Sequence, residues 1–441
     1  MAGRGFYFET RVAPPSCVDS SDPAEERAPG RARSLCCGMR LRVAAALLLA
    51  AAAYYVYLPL PSGVSEPWKL MLLDALFRSF LRASDVAHAL GVCHRVHLLN
   101  RLVSLVEVIE ARSCPAVHVS DSTLGGVPTR VFQPRGGRRP KRGVIYFHGG
   151  GWALGSARMR SYDRLCRKMA DDLDAVVLSV DYRLAPEAVF PDQYHDALAA
   201  SRAFLSDEVL QRYAVDPDRV CVSGDSAGGN LAAAVAQKLG SEDGIRRFKL
   251  QALIYPVLQA LDFYTPSYQQ NQAVPILHRP IMARFWLQYL GADASLEPDL
   301  LANNHSSLDQ ESISAATRAK LDWTALLSAQ RKKHFRPVLR ETGSARPLAP
   351  ALVDARAAPL LAEREVLSRT PPAYVMTCEF DVLRDDGLMY VRRLQEAQVP
   401  VTSDHYEDGF HGCMVFAYLP MMSSVGFRSM NNYIRWLDQN L

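Results

Sequence analysis

Two glycine-framed segments and two late polar residues carry the chemistry that can be read from this chain. Gly224-Asp225-Ser226-Ala227-Gly228 fits the pattern G-x-S-x-G. Alone the pattern is weak, since chance gives on the order of 0.15 matches in a chain of this length. Its context is stronger. It follows the β-branched run VCVS and precedes the Ala-rich run NLAAAVAQ, so a strand, a sharp turn and a helix are expected in that order. Such a turn lifts the Ser226 hydroxyl above a sheet edge and sets a helix N-terminus beneath it. A serine hydroxyl is a poor nucleophile and needs a base, which an acid must orient. His411, in DGFHG, is the expected base, and Asp381, in EFDVLRDDG, the expected acid. Local rivals are His405 for the base and Glu379, Asp385 and Asp386 for the acid. His405 lies inside a strand-like run, and Asp385 and Asp386 read as helix caps or surface charges.

Acyl transfer also needs donors aimed in advance at the oxyanion. His148-Gly149-Gly150-Gly151-Trp152 follows the strand-like run GVIYF. Consecutive glycines let main-chain N–H groups point into a site with no Cβ in the way. The expected oxyanion hole is therefore the His148–Gly151 segment, with Gly149 and Gly150 as donors, completed by the N–H of Ala227. No G-K-[ST] follows, so a phosphate loop is disfavoured. DYRLAPE, at 181–187, reads as a brace in which Arg183 and Glu187 hold the loops around this segment. The scheme calls for no metal or organic cofactor, and the rate is expected to fall in acid as His411 takes up a proton.

The elements that must position these residues follow from the pattern of the chain. Strand-like runs at 143–147, 175–180, 220–223, 250–255, 373–378 and 401–406 alternate with helical segments at 162–173, 194–205, 230–240 and 388–397. That alternation predicts a mostly parallel sheet with helices on both faces. Residues 257–365 break the rhythm and read as an insertion over one edge of a catalytic domain at 113–441. Residues 62–112 read as a helical cap, with apolar positions at Leu70, Leu73, Phe77 and Leu81, then Leu98, Leu102, Leu105 and Ile109. This segment is either plain core or a cap lying near a membrane.

The membrane enters through Val43–Leu60, eighteen residues without a charge. Seven Arg and five acids lie in residues 1–42, against 43 and 41 in the remainder, so the Arg excess predicts a cytosolic N-terminus. A signal anchor at 43–61 is the favoured reading. A cleaved signal peptide and a buried helix are the alternatives. Residues 1–42 are expected to be a disordered basic segment. Met39 is an alternative start, and Cys36 and Cys37 are acylation candidates or ordinary thiols. The net charge of +4 is too small to argue for nucleic acid, and a mean hydropathy of −0.06 excludes a polytopic membrane protein. None of the nine cysteines forms a CxxC, so no zinc or thioredoxin motif is suggested. Asn304-His305-Ser306 is the single glycosylation sequon.

Together HGGGW, DYRLAPE, GDSAGGN and the late Asp…His pair resemble the hormone-sensitive-lipase-like branch of the α/β-hydrolases, and the order Ser226, Asp381, His411 matches that fold. The N-terminal apolar stretch further resembles the arylacetamide deacetylase group. YYVYLPLP, PWKLMLLDA, IYPVLQALDFYTPSYQQN, NNHSSLD, DVLRDDG, EDGFHGCM and IRWLDQNL extend the likeness over about residues 43–441. The resemblance implies an α/β-hydrolase fold and a single-pass type II protein of the endoplasmic reticulum with a lumenal catalytic domain. It also implies hydrolysis of apolar lipid esters, such as acetylated monoalkylglycerol ethers and cholesteryl esters. At Asp322, in DWT, this chain departs from the sequon that the resemblance leads one to expect. A broad-specificity xenobiotic esterase or arylamide deacetylase, and a non-catalytic ligand-binding scaffold, are the other readings.

Overall fold

The computed structural model describes residues 30–137, 139–304, 315–338, 350–418 and 421–441. It divides into two units, Met1–Tyr55 and Val56–Leu441. The first contributes most of helix α1 (Gly30–Val56). Among the described residues this helix runs from Gly30, and residues 1–29 lie outside the described residues. The run RARSLCCGMRLR holds good helix formers contiguous with the alanines, which lets the helix propagate towards the N-terminus. The helix stops at Val56, before Leu60, because Pro59 and Pro61 disfavour helical backbone at the residues before them. Among the described residues no helix is long and apolar enough to cross a membrane.

The second unit opens with α2 (Pro67–Ala89) and α3 (Arg95–Glu107). The buried stripe of α3 is Val96 and Leu99, whereas Leu105 points to solvent, contrary to the expected 98–102–105 face. A hairpin of β1 (Val117–Leu124) and β2 (Val127–Pro134) follows, turning at Gly125 and Gly126, both with positive φ. The chain continues through β3 (Lys141–Phe147), α4 (Arg160–Asp172), β4 (Ala175–Val180), α5 (Asp192–Phe204), α6 (Asp207–Tyr213), β5 (Val215–Asp225), α7 (Ala227–Ser241) and β6 (Leu250–Ile254). Among the described residues of the 257–367 interval there are seven short α-helices. They are α8 (Pro266–Gln270), α9 (Arg279–Tyr289), α10 (Glu297–Leu301), α11 (Ala315–Lys320), α12 (Trp323–Leu326), α13 (Ala329–Lys332) and α14 (Arg364–Leu367). The chain ends with β7 (Ala373–Phe380), α15 (Arg384–Glu396), β8 (Val401–Phe410) and α16 (Ser424–Asn440).

The eight strands form one sheet in the order β1-β2-β4-β3-β5-β6-β7-β8. β1 and β2 pair antiparallel, as do β2 and β4, and the other neighbours are parallel. The central strands are buried on both faces, as continuous apolar runs such as AVVLSV require. Register does the positioning. Phe147 pairs with Gly224, which brings the glycine segment after β3 beside the elbow after β5. β7 and β8 slip register near Cys378, and Phe380 then pairs with Phe410, so Asp381 and His411 leave the sheet side by side.

Candidate active site

Ser226 caps α7 with φ 54° and ψ −118°, a strained conformation for a side-chain-bearing residue. The two framing glycines are needed for close approach. A Cβ on Gly224 would lie 2.4 Å from the Gly228 carbonyl, and one on Gly228 would lie 2.0 Å from the Phe147 carbonyl oxygen. The Ser226 N–H donates to the Ile254 carbonyl at 2.9 Å, fixing the turn to β6.

Ser226 Oγ lies 3.0 Å from His411 Nε2, and His411 Nδ1 lies 2.8 Å from Asp381 Oδ2. The other Asp381 oxygen accepts from the Leu383 N–H at 2.8 Å, and the His411 ring rests on Tyr255 at 5.0 Å. All three polar residues are buried. Such a relay can take the hydroxyl proton during attack on a carbonyl and return it to a leaving group.

The rival acids are engaged elsewhere. Burial raises the Glu379 carboxyl, but His405, Arg384 and Arg331 outweigh it and hold it down at about 2. His405 is tied up by Glu379 at 3.0 Å and Thr377 at 2.9 Å. Asp385 and Asp386 open α15 but are fully buried, not surface charges. Asp385 accepts from the Ser267 N–H at 2.6 Å, and Asp386 from the Leu258 N–H and Gln259 Nε2, both at 3.0 Å.

The glycine segment differs from expectation at two residues. The Gly149 N–H is already engaged: it donates to Asp225 Oδ1 at 3.0 Å and to the Tyr162 hydroxyl at 2.9 Å. His148 is fully buried, with Nδ1 2.8 Å from the Gly149 carbonyl and its ring stacked on Tyr182 at 4.4 Å. Burial lowers its pKa, so the ring props the loop as a neutral imidazole rather than offering a charged donor. The N–H groups of Gly150, Gly151 and Ala227 donate to no acceptor among the described residues. Gly150 and Gly151 have φ of 112° and 61°, so the turn that exposes both amides needs glycine. The amides left to receive an oxyanion are therefore those of Gly150, Gly151 and Ala227, while that of Gly149 is already engaged.

Sequence reasoning passed over Asp225. It is completely buried between Gly224 and Ser226, accepting from Tyr146 at 3.0 Å, Tyr162 at 3.2 Å and Gly149. Burial pushes its carboxyl up to about 6, against the hydrogen bonds that favour the charge. The only available signal was a charge at the end of an apolar strand. Asn271 was also passed over. Its Nδ2 donates to the carbonyls of Glu379 at 2.8 Å and Asp381 at 3.0 Å, tying the insertion to the acid turn. No periodic or spacing signal marks it.

DYRLAPE braces the site through other residues as well. Arg183 grips Asp196 with two bonds of 2.9 and 2.8 Å, while Tyr182 donates to the His148 carbonyl at 2.7 Å. Glu187 meets His97, at 3.3 Å near the surface. From the other side Asn100 of α3 accepts from the Gly155 N–H at 3.1 Å. Asn304 is buried, its amide donating to Asp299 at 3.0 Å, so a glycan there requires that amide to be turned out of the fold. Among the described residues no group of three or more His, Cys, Asp or Glu side chains is arranged to hold a metal ion.

Comparison with known proteins gives a consistent result. A family model described as alpha/beta hydrolase fold matches residues 144–331 and 308–415. Neutral cholesterol ester hydrolase 1 of Mus musculus is 53% identical over 401 residues, covering 90% of this chain and 98% of its own. Arylacetamide deacetylase of Oryctolagus cuniculus is 43% identical over 394 residues, covering 88% and 96%. The crystal structure of a thermostable esterase from Pseudomonas putida ECU1011 superposes with a TM-score of 0.61 at 26% identity, covering 87% of this chain and 99% of that one.

Proposed function

The chain belongs to the α/β-hydrolase family, and from that premise we propose that it is a membrane-anchored serine hydrolase cleaving carboxylic esters of apolar lipids. The observation that carries this reading is the continuous Ser226–His411–Asp381 contact, with the main-chain N–H groups of Gly150, Gly151 and Ala227 uncommitted among the described residues. His411 Nε2 takes the proton as Ser226 Oγ attacks the ester carbonyl. Asp381 holds the Nδ1–H tautomer and offsets the charge of the imidazolium. Gly150, Gly151 and Ala227 receive the oxyanion. The alcohol leaves with the proton from His411, and water, activated by the same ring, then releases the acid from the acyl-enzyme.

The substrate class rests on likeness. The mouse relative is named for cholesterol esters and the rabbit relative for arylacetamides. Esters of apolar lipids, including 2-acetyl monoalkylglycerol ethers and cholesteryl esters, are the first reading. A broad xenobiotic esterase or arylamide deacetylase is the second, favoured by the 43% identity to the rabbit enzyme. A fluorophosphonate probe should label the wild type and leave Ser226→Ala unlabelled. Labelling that survives the substitution refutes the mechanism. Relative kcat/KM for ether-lipid acetates against short aryl acetates separates the two substrate readings.

We also propose a type II anchor at 43–61 in the endoplasmic reticulum membrane, with the catalytic unit lumenal. Support comes from the Arg-rich segment before it and from the exposed apolar side chains of Val43, Leu47, Leu48 and Leu49. Retention in the membrane pellet after alkaline carbonate extraction is expected; recovery in the wash refutes the anchor.

A further inference from the structure

Helix α2 is apolar on two faces. Inwards, Leu70 is buried, and Phe77, Phe80 and Leu81 pack on the cluster that Val96 and Leu99 of α3 form with Ala153 and Leu154, which follow the glycine loop. Outwards, Trp68, Leu72, Leu76 and Val86 are 59%, 50%, 49% and 58% exposed. At about 100° per residue these four fall within a sector of about 80°, together with Ser79 and Ala83. No charged side chain lies in that sector; Lys69 lies about 20° beyond one edge, and Arg82 about 40° beyond the other, past Ala75. An uncharged outer stripe of this length is unusual on a free surface.

The chain itself indicates what covers the stripe. The uncharged run Val43–Leu60 ends seven residues before Pro67, a reach of at most about 25 Å when fully extended. The reach is shorter in the fold, because the Leu58 N–H donates to Met71 Sδ in the second turn of α2 at 3.2 Å. The apolar surface continues beyond α2. Lys69 Nζ donates to the carbonyl of Met422 at 3.1 Å, and Met422 and Phe427 are both exposed. An aromatic at one end, cations at the edges and leucines between them are the composition of a helix lying in a lipid headgroup layer.

We propose that the outer face of α2, formed by Trp68, Leu72, Leu76 and Val86, lies in the surface of a lipid bilayer and passes apolar esters to Ser226. This rests on the anchor reading above. The opposite face of the same helix packs into the cluster that α3 forms with Ala153 and Leu154 after the glycine loop, so a helical layer alone lies between lipid and that segment. An ester with a long acyl chain then enters from the leaflet without crossing water.

The test uses the full chain in phosphatidylcholine vesicles, with and without bromine on the acyl chains. Brominated lipid is expected to quench part of the tryptophan emission, and Trp68→Phe is expected to remove that part. The triple variant L72Q/L76Q/V86Q is expected to keep kcat/KM for a water-soluble aryl acetate within two-fold. The same variant should cleave a long-chain ester dispersed in the vesicles about ten-fold more slowly. Equal quenching in wild type and Trp68→Phe, with the protein still in the carbonate pellet, overturns the docking face and leaves the anchor standing. Recovery in the carbonate wash overturns the anchor reading instead. A dimer in detergent that the triple variant dissociates, with quenching unchanged, assigns the face to a second copy and overturns the proposal.

Discussion

Gly149→Ala tests whether Asp225 aims the oxyanion donors. A Cβ at this position would lie 2.5 Å from Asp225 Oδ2 and 3.0 Å from the Asp225 carbonyl oxygen. Ordinary contact begins near 3.4 Å, so the pair must open by about 0.9 Å. Asp225 is pinned by Tyr146 and Tyr162, so the glycine loop has to give. Opening the gap breaks the Gly149 N–H bond to Asp225, a buried bond to a carboxylate whose loss costs about 1.5–3 kcal/mol of stability. It also carries Gly150 and Gly151 with it. A misplacement of about 1 Å, or the loss of one oxyanion donor, costs about 100-fold or more in rate. The expected outcome is a kcat about 100-fold lower with KM within about three-fold, because the donors act on the transition state. The assay is steady-state hydrolysis of a short aryl acetate, with circular-dichroism melting to show that the variant is folded. A cycle with Asp225→Ala should be non-additive by about 1 kcal/mol or more, since both substitutions act through one contact. A kcat within three-fold of wild type, or strictly additive losses, would refute the reasoning.

Asn271→Ala should lower kcat about ten-fold while leaving fluorophosphonate labelling detectable, because two carbonyls of the acid turn lose their donor; unchanged kcat shows that the turn holds itself. Burial lifts Asp386 to about 8, so between about pH 4 and pH 8 the folded chain holds a proton that the unfolded chain has released. The stabilisation from that proton is complete below pH 4 and is lost as pH rises through 8. Asp386→Asn should therefore flatten the fall in stability between pH 5 and pH 8 by up to about 4 kcal/mol, read as denaturant midpoints at the two pH values. Gly228→Ala drives a Cβ onto the Phe147 carbonyl oxygen and should cost about 3 kcal/mol or more; a melting temperature equal to wild type contradicts the packing described for the elbow.

Much of the fold was legible because its signals are local. AVVLSV and AYVMTC are short, mostly apolar, β-branched-rich runs of the kind a strand covered on both faces carries, and both appear as such. The β1–β2 hairpin was not read, because its burial alternates weakly and its pairing depends on a partner across the sheet. The stripe of α3 shifted to Val96 and Leu99 because several heptad-like faces fit its sequence and only the surface it meets selects one.

The same division runs through the site. Residue types and order by themselves point to a nucleophile elbow at Ser226, an acid and a base on late strand ends, and a glycine segment before them. Those features are written in backbone constraints, where glycine is required or a β-branched run must extend. Which glycine amides are left uncommitted was decided only by the tertiary structure. Asp225 takes the Gly149 N–H, and this follows from where Tyr146 and Tyr162 place that carboxylate. The burial of Asp385 and Asp386 was likewise settled by the insertion packing over the start of α15. A charge next to an apolar run looks alike in sequence whether it meets water or a ring of donors. The difference lies in contacts between residues far apart along the chain.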